Sequence, residues 1–241
     1  MKIALDTHTH TLASGHAYNT ISEMAEAASE LGLEILAITE HAMAMPGTCH
    51  QFYFENLKVV PREMHGVRLM MGTEANIINL NGELDMPDYL LAKMDLVIAS
   101  MHLPCVTPGT AEENTNAVIA AMKHPSVSII GHPDDARIPM LYEPLVKAAK
   151  EHNVLLELNN SSLNPNGFRL NARDNDIEML KLCKEYGVSI TLGSDAHFST
   201  DIANYNYAFD VLNEVDFPEE LIANTDVEKF LTLLRRKRND L

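Results

Sequence analysis

Tryptophan is absent from this 241-residue chain, and tyrosine and phenylalanine number only seven each. That leaves no aromatic platform on which nucleic-acid bases could stack. Positive charge is scarce too: 18 lysines and arginines stand against 34 aspartates and glutamates, for a net charge of −16. Such a surface repels polynucleotide backbones and anionic membranes, so neither is an expected partner. It does not exclude a small phosphate ester, because bound divalent cations can reverse the field locally. The three cysteines, Cys49, Cys105 and Cys183, lack the paired spacing of a zinc ribbon or a disulfide framework and read as free thiols. No apolar run reaches the roughly 18 residues of a membrane helix. Met1 and Lys2 pass directly into a strand pattern, without the apolar stretch of a secretion signal, so the cytoplasm is the expected compartment. Internal repeats and low-complexity segments are lacking as well. The length suits one domain over residues 1–241, close to the roughly 250 residues of a single α/β barrel.

Seven strand-like runs alternate with helical patterns. The runs are Lys2–Leu5, Ile35–Ile38, Val67–Met71, Leu96–Ala99, Val127–Ile130, Val154–Leu158 and Ser189–Leu192. Thr20 with Glu23, and Thr110 with Glu113, are capping boxes that open helices to about Leu31 and Lys123. Further helices are expected over Leu141–His152, Asp174–Tyr186, Ile202–Leu212, Pro218–Ala223 and Val227–Arg236. The basic tail Arg235-Arg236-Lys237-Arg238 reads as a helix C-terminus meeting its own dipole. Asn81-Gly82 predicts a small hairpin over Asn76–Asp85, and Ala42–Gln51 a mouth loop. Alternating strand and helix implies parallel pairing by right-handed crossovers. Seven units predict a TIM-like barrel one unit short of eight, hence a distorted (β/α)7 barrel.

Each of six runs is followed directly by metal-ligand residues: His8 and His10, with His16 in the loop beyond; then His41; Glu74; His102; His132; and Asp195 with His197. Parallel strands present all their C-terminal ends on one face, so these nine positions should meet in one bowl. In His8-Thr9-His10, strand alternation puts both rings on one side. Seven imidazoles and two carboxylates without a thiolate suit zinc first, with manganese or iron also fitting. One ion takes about four to six donors, so nine imply two or three ions. His50, His65, His124 and His152 lie outside strand ends and read as structural or solvent-facing, and the thirteen methionines as core and mouth filling.

This set, read in order from His8-Thr9-His10 to the closing Ser194-Asp195-Ala196-His197, resembles the PHP (polymerase and histidinol phosphatase) domain family. The segment Ala13–Asn19 and Glu74–Ile77 look like its stand-alone YcdX-type metal-dependent phosphatases. The resemblance implies a trinuclear centre at the C-terminal end of the strands. In it His8, His10, Glu74 and Asp195 would hold one ion and His16, His41 and His197 a second. Glu74 would bridge to a third, shared with His102 and His132. One departure is visible: Thr39-Glu40-His41 stands where the family usually has Thr-Asp-His, and the longer acid leaves the role of Glu40 open. Asp6 reads equally as an acceptor for a ligand ring N–H or as an acid bound to backbone.

Ions of this kind ionise bound water near neutral pH, so a metal-bridging hydroxide, helped by Asp195 or His197, is the expected attacking machinery for a small phosphomonoester. Arg137, Arg169 and Arg173 lie on the mouth side, and at least one is expected to grip substrate phosphate. Alternatives stay open: a histidinol-phosphate phosphatase, a small phosphodiesterase, or a non-catalytic accessory module. An amidohydrolase barrel, which also opens with His-x-His, would place a lysine where Met101 and His102 stand. A homo-oligomer through the terminal helices is compatible with the sequence.

Overall fold

The computed structural model describes residues 1–239; the side chains of Arg236, Arg238 and Asn239 lie outside the described residues. Seven parallel strands form a nearly closed barrel: β1 (Leu5–Asp6), β2 (Ile35–His41), β4 (Val67–Asn76), β5 (Val97–Ser100), β6 (Ile129–Ile130), β7 (Leu155–Asn159) and β8 (Ile190–Gly193). They pair in that order. A short antiparallel strand, β3 (Glu63–Met64), is added on β4 and was not anticipated from the sequence. The distorted (β/α)7 expectation is met.

Helices α1 (Ile21–Glu30), α4 (Ala111–Met122), α5 (Tyr142–Glu151) and α6 (Ala172–Tyr186) follow the expected pattern within a few residues, and both capping boxes form. Two short helices, α2 (Gln51–Asn56) and α3 (Asp88–Leu91), are additional. The helix expected over Ile202–Leu212 starts later, as α7 (Asn206–Glu214). Upstream, Ala203 adopts a φ of 51° and gives its N–H to the Asp6 carboxylate, which a helix there would prevent. Residues 218–223 form 3-10 turns rather than one helix, and α8 (Val227–Asn239) closes the chain. The hairpin over Asn76–Asp85 reduces to one bridge, Ile77 to Leu84, because the Asp85 carboxylate cross-links the loop base through Asn76 N and Nδ2.

The core has two compartments. Helices pack on the outside of the barrel through Met24, Leu36, Ile38, Leu145, Leu156, Leu180 and their neighbours. Inside its lower end, Leu5, Ile35, Leu96, Ile98, Ile129 and Leu155 meet Phe230, Leu231 and Leu234 of α8, so the terminal helix plugs the bottom. The interior is thus filled by apolar side chains below and left to polar ones above, as strand alternation and the barrel mouth require.

Where an eighth unit would close the barrel, β1 and β8 are joined by other means. Asn224 donates from Nδ2 to Leu5 O (3.1 Å) and Leu192 O (2.8 Å) and accepts from Leu192 N (2.7 Å). Higher up, Thr7 Oγ1 donates to Leu192 O, Asp195 N to His8 O and His10 N to Ala196 O. These bonds set the closing residues of the mouth directly against the first ones.

Close approach at this seam needs glycine. A Cβ on Gly193 would lie 1.8 Å from Glu157 Oε1 and 3.0 Å from His8 Cβ. We predict that Gly193→Ala destabilises the fold by about 1–3 kcal/mol, read by urea unfolding, through overpacking.

Candidate metal centre

All nine sequence-derived ligand positions lie at the strand C-termini or in the loops that leave them, and the structure brings them together. His8, His10, Glu74, His41, His132 and Asp195 are buried; His102 and His197 are half-buried and His16 is exposed. Glu74, at the top of β4, is the hub. Its Oε1 lies 2.8 Å from His132 Nε2 and 3.1 Å from His102 Nε2. Its Oε2 lies 2.7 Å from His41 Nδ1, 3.4 Å from His8 Nε2 and 3.6 Å from His10 Nε2. Asp195 Oδ1 lies 3.3 Å from His10 Nε2. His16 stacks at 4.9 Å on His41 and 4.8 Å on His197, at the rim. The tightest groupings of ligand atoms are His10 with His41 and His197, His8 with His10 and Glu74, and His41 with Glu74 and His102.

The direction of each ring follows from its other nitrogen. His8 Nδ1 is 2.7 Å from Glu157 Oε1, and an ionised carboxylate can only accept, so the proton sits on Nδ1. Ser14 Oγ donates to Glu40 Oε2 (2.6 Å) and therefore accepts from His10 Nδ1 (2.9 Å). His102 Nδ1 binds Asn76 Oδ1 (2.8 Å), and His197 Nδ1 binds the Asp195 carbonyl (2.9 Å). Four imidazoles are thereby oriented with Nε2 inward, the nitrogen that carries the lone pair whenever the ring is neutral. For His8 and His10 the two Nε2 atoms are 3.0 Å apart. Two lone pairs at that distance repel unless a cation, or at least a proton, lies with them.

The electrostatics carry the same demand. Burial resists charge on His8, yet the carboxylates of Glu157, Glu74 and Asp195 raise it well above the ordinary histidine range. Burial likewise opposes charge on Glu74, and the surrounding His102, His41 and His8 still hold it well below the usual carboxylate range. Asp195 behaves in the same way under His8, His10, His197 and Arg169. Glu74 Oε2 and His41 Nδ1, though close, make no aligned hydrogen bond. Buried polar atoms are normally satisfied, so inward-facing donors of this type fit divalent ions. The residues therefore suit the metals that the sequence implies.

The structure decides between the two readings of Asp6 and corrects the one for Arg173. Asp6 is not an acceptor for a ligand ring: its carboxylate takes backbone N–H groups of His8, Ser194 and Ala203. Arg173 does not face the mouth; it is exposed and pairs with Glu214. Arg137 and Arg169 do line the cleft above the cluster, a cavity of about 460 Å³. Arg169 reaches Asn159 and Ser162 through Nη1, and its Nη2 is 3.6 Å from Asp195 Oδ2. Glu40 has a defined place: it accepts from Thr11, Ser14 and Tyr53 and fixes Ser14 under His10. Sequence reasoning missed Glu157, Ser14 and Asn76. A single acid inside the apolar run Val154–Leu158 was the available signal for Glu157. Two ligand positions carry strained backbone for residues with a Cβ, His132 at φ 28° and Asp195 at φ 56°. Burial pushes the Cys49 and Cys105 thiols up to about 11, and Cys105 Sγ donates to Asn76 Oδ1 (3.3 Å), the oxygen that also meets His102 Nδ1.

The architecture and cluster define a class: a seven-stranded parallel barrel with a histidine-rich, metal-type centre at its C-terminal mouth. The PHP domain family model matches residues 6–164, and the chain belongs to that family. Its relatives include a probable phosphatase of Clostridium novyi (strain NT), 49% identical over 98% of this chain and 96% of that protein. Another is a probable phosphatase of Caldicellulosiruptor saccharolyticus, 48% identical over 98% of this chain and 97% of that protein. Among solved structures, the fold is similar to histidinol phosphate phosphatase from Lactococcus lactis, complexed with zinc, L-histidinol and phosphate. That likeness has a TM-score of 0.61 and 17% identity, covering 89% of this chain and 94% of the other.

Replacing Glu157 by Gln keeps the shape and removes the charge behind His8. We predict a 10–100-fold loss of metal affinity, measured by competition with a chromogenic chelator, in line with the cost of removing such supporting partners.

Proposed function

We propose that this protein is a metal-dependent phosphatase acting on small phosphomonoesters, with the nine converged side chains holding two or three divalent ions, zinc first among them. The observation that carries the reading is the set of inward-turned Nε2 atoms around Glu74, which has no purpose in a purely structural core. The similarity over nearly full length to proteins named probable phosphatases supports the reaction class.

His8, His10, Glu74 and Asp195 would serve one ion, and His16, His41 and His197 the ion nearer the rim. His102 and His132 would share Glu74 with a third. When bound, such ions supply an ionised water at neutral pH and neutralise developing charge on the phosphoryl oxygens. Arg169 would bind a phosphoryl oxygen, and its Asn159 and Ser162 contacts support this by holding its planar group in one orientation. Asp195, ionised at neutral pH, accepts rather than donates a proton. Glu40, through Ser14, and Glu157 keep His10 and His8 in the tautomer that binds a cation.

Purified protein should carry two or three ions per chain by elemental analysis, and a chelator should abolish phosphate release from small phosphomonoesters. Loaded protein that releases no phosphate from any ester would favour a non-catalytic metal-holding module instead. Arg169→Ala should lower kcat/KM by about 10-fold or more, in the range of a lost charge-assisted hydrogen bond. Arg173→Ala, far from the cleft in its pair with Glu214, should leave the kinetics unchanged.

A further inference from the structure

The walls of the cleft above the cluster indicate what the other half of the ester looks like, and this inference rests on the phosphatase reading above. Away from the ligand residues, the lining joins an apolar wall, Met45, Met101, Leu103, Pro104, Ile138 and Phe168, to the polar side chains Asp135, Arg137, Ser161 and Arg169. Phe168 lines the cleft yet is 70% exposed. It is held between two cleft arginines, with the guanidinium carbons of Arg137 at 5.5 Å and Arg169 at 5.4 Å from its centroid.

The charges in the same walls are spoken for. Outside the cluster the cleft contains one carboxylate, Asp135. Arg137 grips it from Nε to both oxygens (2.9 and 3.0 Å) and from Nη2, and the Arg137 and Leu170 backbone N–H groups also bind it. A polar recess shared through Ser161 and Asp195 offers one more acid, Asp201, but holds only about 80 Å³. An ammonium or protonated imidazole on the substrate would therefore leave water for an apolar wall, two guanidiniums and no free counter-charge, which is costly. The net charge of −16 does not compensate, because its pull is screened within about 8 Å at physiological ionic strength.

We infer that the cleft selects phosphomonoesters whose alcohol half is uncharged and apolar or aromatic, seated against Phe168 and the methionine–leucine wall, and discriminates against cationic amino-alcohol phosphates. Histidinol phosphate belongs to the disfavoured group. Phe168 is the specificity-determining residue; the phosphoryl group itself is held below it.

Non-hydrolysable phosphonates test this by calorimetry on zinc-loaded protein. Phenylphosphonate should bind about tenfold or more tightly than 2-aminoethylphosphonate, as burial of a phenyl ring against an unpaired ammonium requires. Phe168→Ala should remove most of that gain and affect methylphosphonate far less. In turnover, phenyl phosphate should exceed histidinol phosphate in kcat/KM. Equal or tighter binding of aminoethylphosphonate, faster turnover of histidinol phosphate, or equal losses for phenyl- and methylphosphonate in Phe168→Ala would overturn the inference while leaving the phosphatase reading intact. If no phosphonate binds and no ester turns over, the phosphatase reading fails and this inference with it.

Discussion

An imidazole has two nitrogens and, when neutral, one proton. Which nitrogen keeps its lone pair is decided by what the other one meets, and the upper half of this barrel is arranged around that constraint. Glu157 takes the proton of His8, Ser14 that of His10, Asn76 that of His102, and the Asp195 carbonyl that of His197. The supporting groups are themselves anchored. Glu157 accepts from His132 N and Asn159, Ser14 is pinned by Glu40, and Asn76 is cross-linked by Asp85. The result is an anchored outer frame that turns these four Nε2 atoms inward, so cation binding needs little reorganisation.

The same frame accounts for the polarity gradient along the barrel axis. Below, α8 seals an apolar plug against Leu5, Ile98 and Leu155. Above, buried carboxylates and imidazoles would be prohibitively costly without mutual compensation. Burial opposes ionisation of Glu74 and Asp195, yet the neighbouring imidazoles, with Arg169 beside Asp195, hold both well below the usual carboxylate range. Stability and chemistry are therefore not separable at the mouth: the charges that would recruit ions are the ones that burial penalises.

Much of this was legible from the chain. Ligands placed directly after apolar runs could converge only if the runs were parallel strands, so one pattern fixed both architecture and bowl. The supporting shell was harder to read because its members act through partners distant in sequence. Glu157 meets His8 across 149 positions, and Ser14 and Glu40 matter only once both lie under His10. Arg169 and Arg173 are four residues apart and look equivalent in sequence. Asn171, at the N-cap of α6, separates them: Arg169 stays in the mouth loop, whereas Arg173 in the first helical turn swings out to Glu214. Local periodicity cannot report that change of direction. Asp6 was ambiguous for a related reason, since only the path of residues 194 and 203 decides whether backbone or ring reaches its carboxylate.

The seam closed by Asn224 joins residue 5 to residue 192 through a side chain near the end of the chain. The first strand, which leads into His8 and His10, thus depends for part of its closure on a side chain 219 positions further along. Contacts of such long sequence separation form late and slowly. Closure of the bowl is therefore a late folding event, set by contacts between segments far apart in sequence.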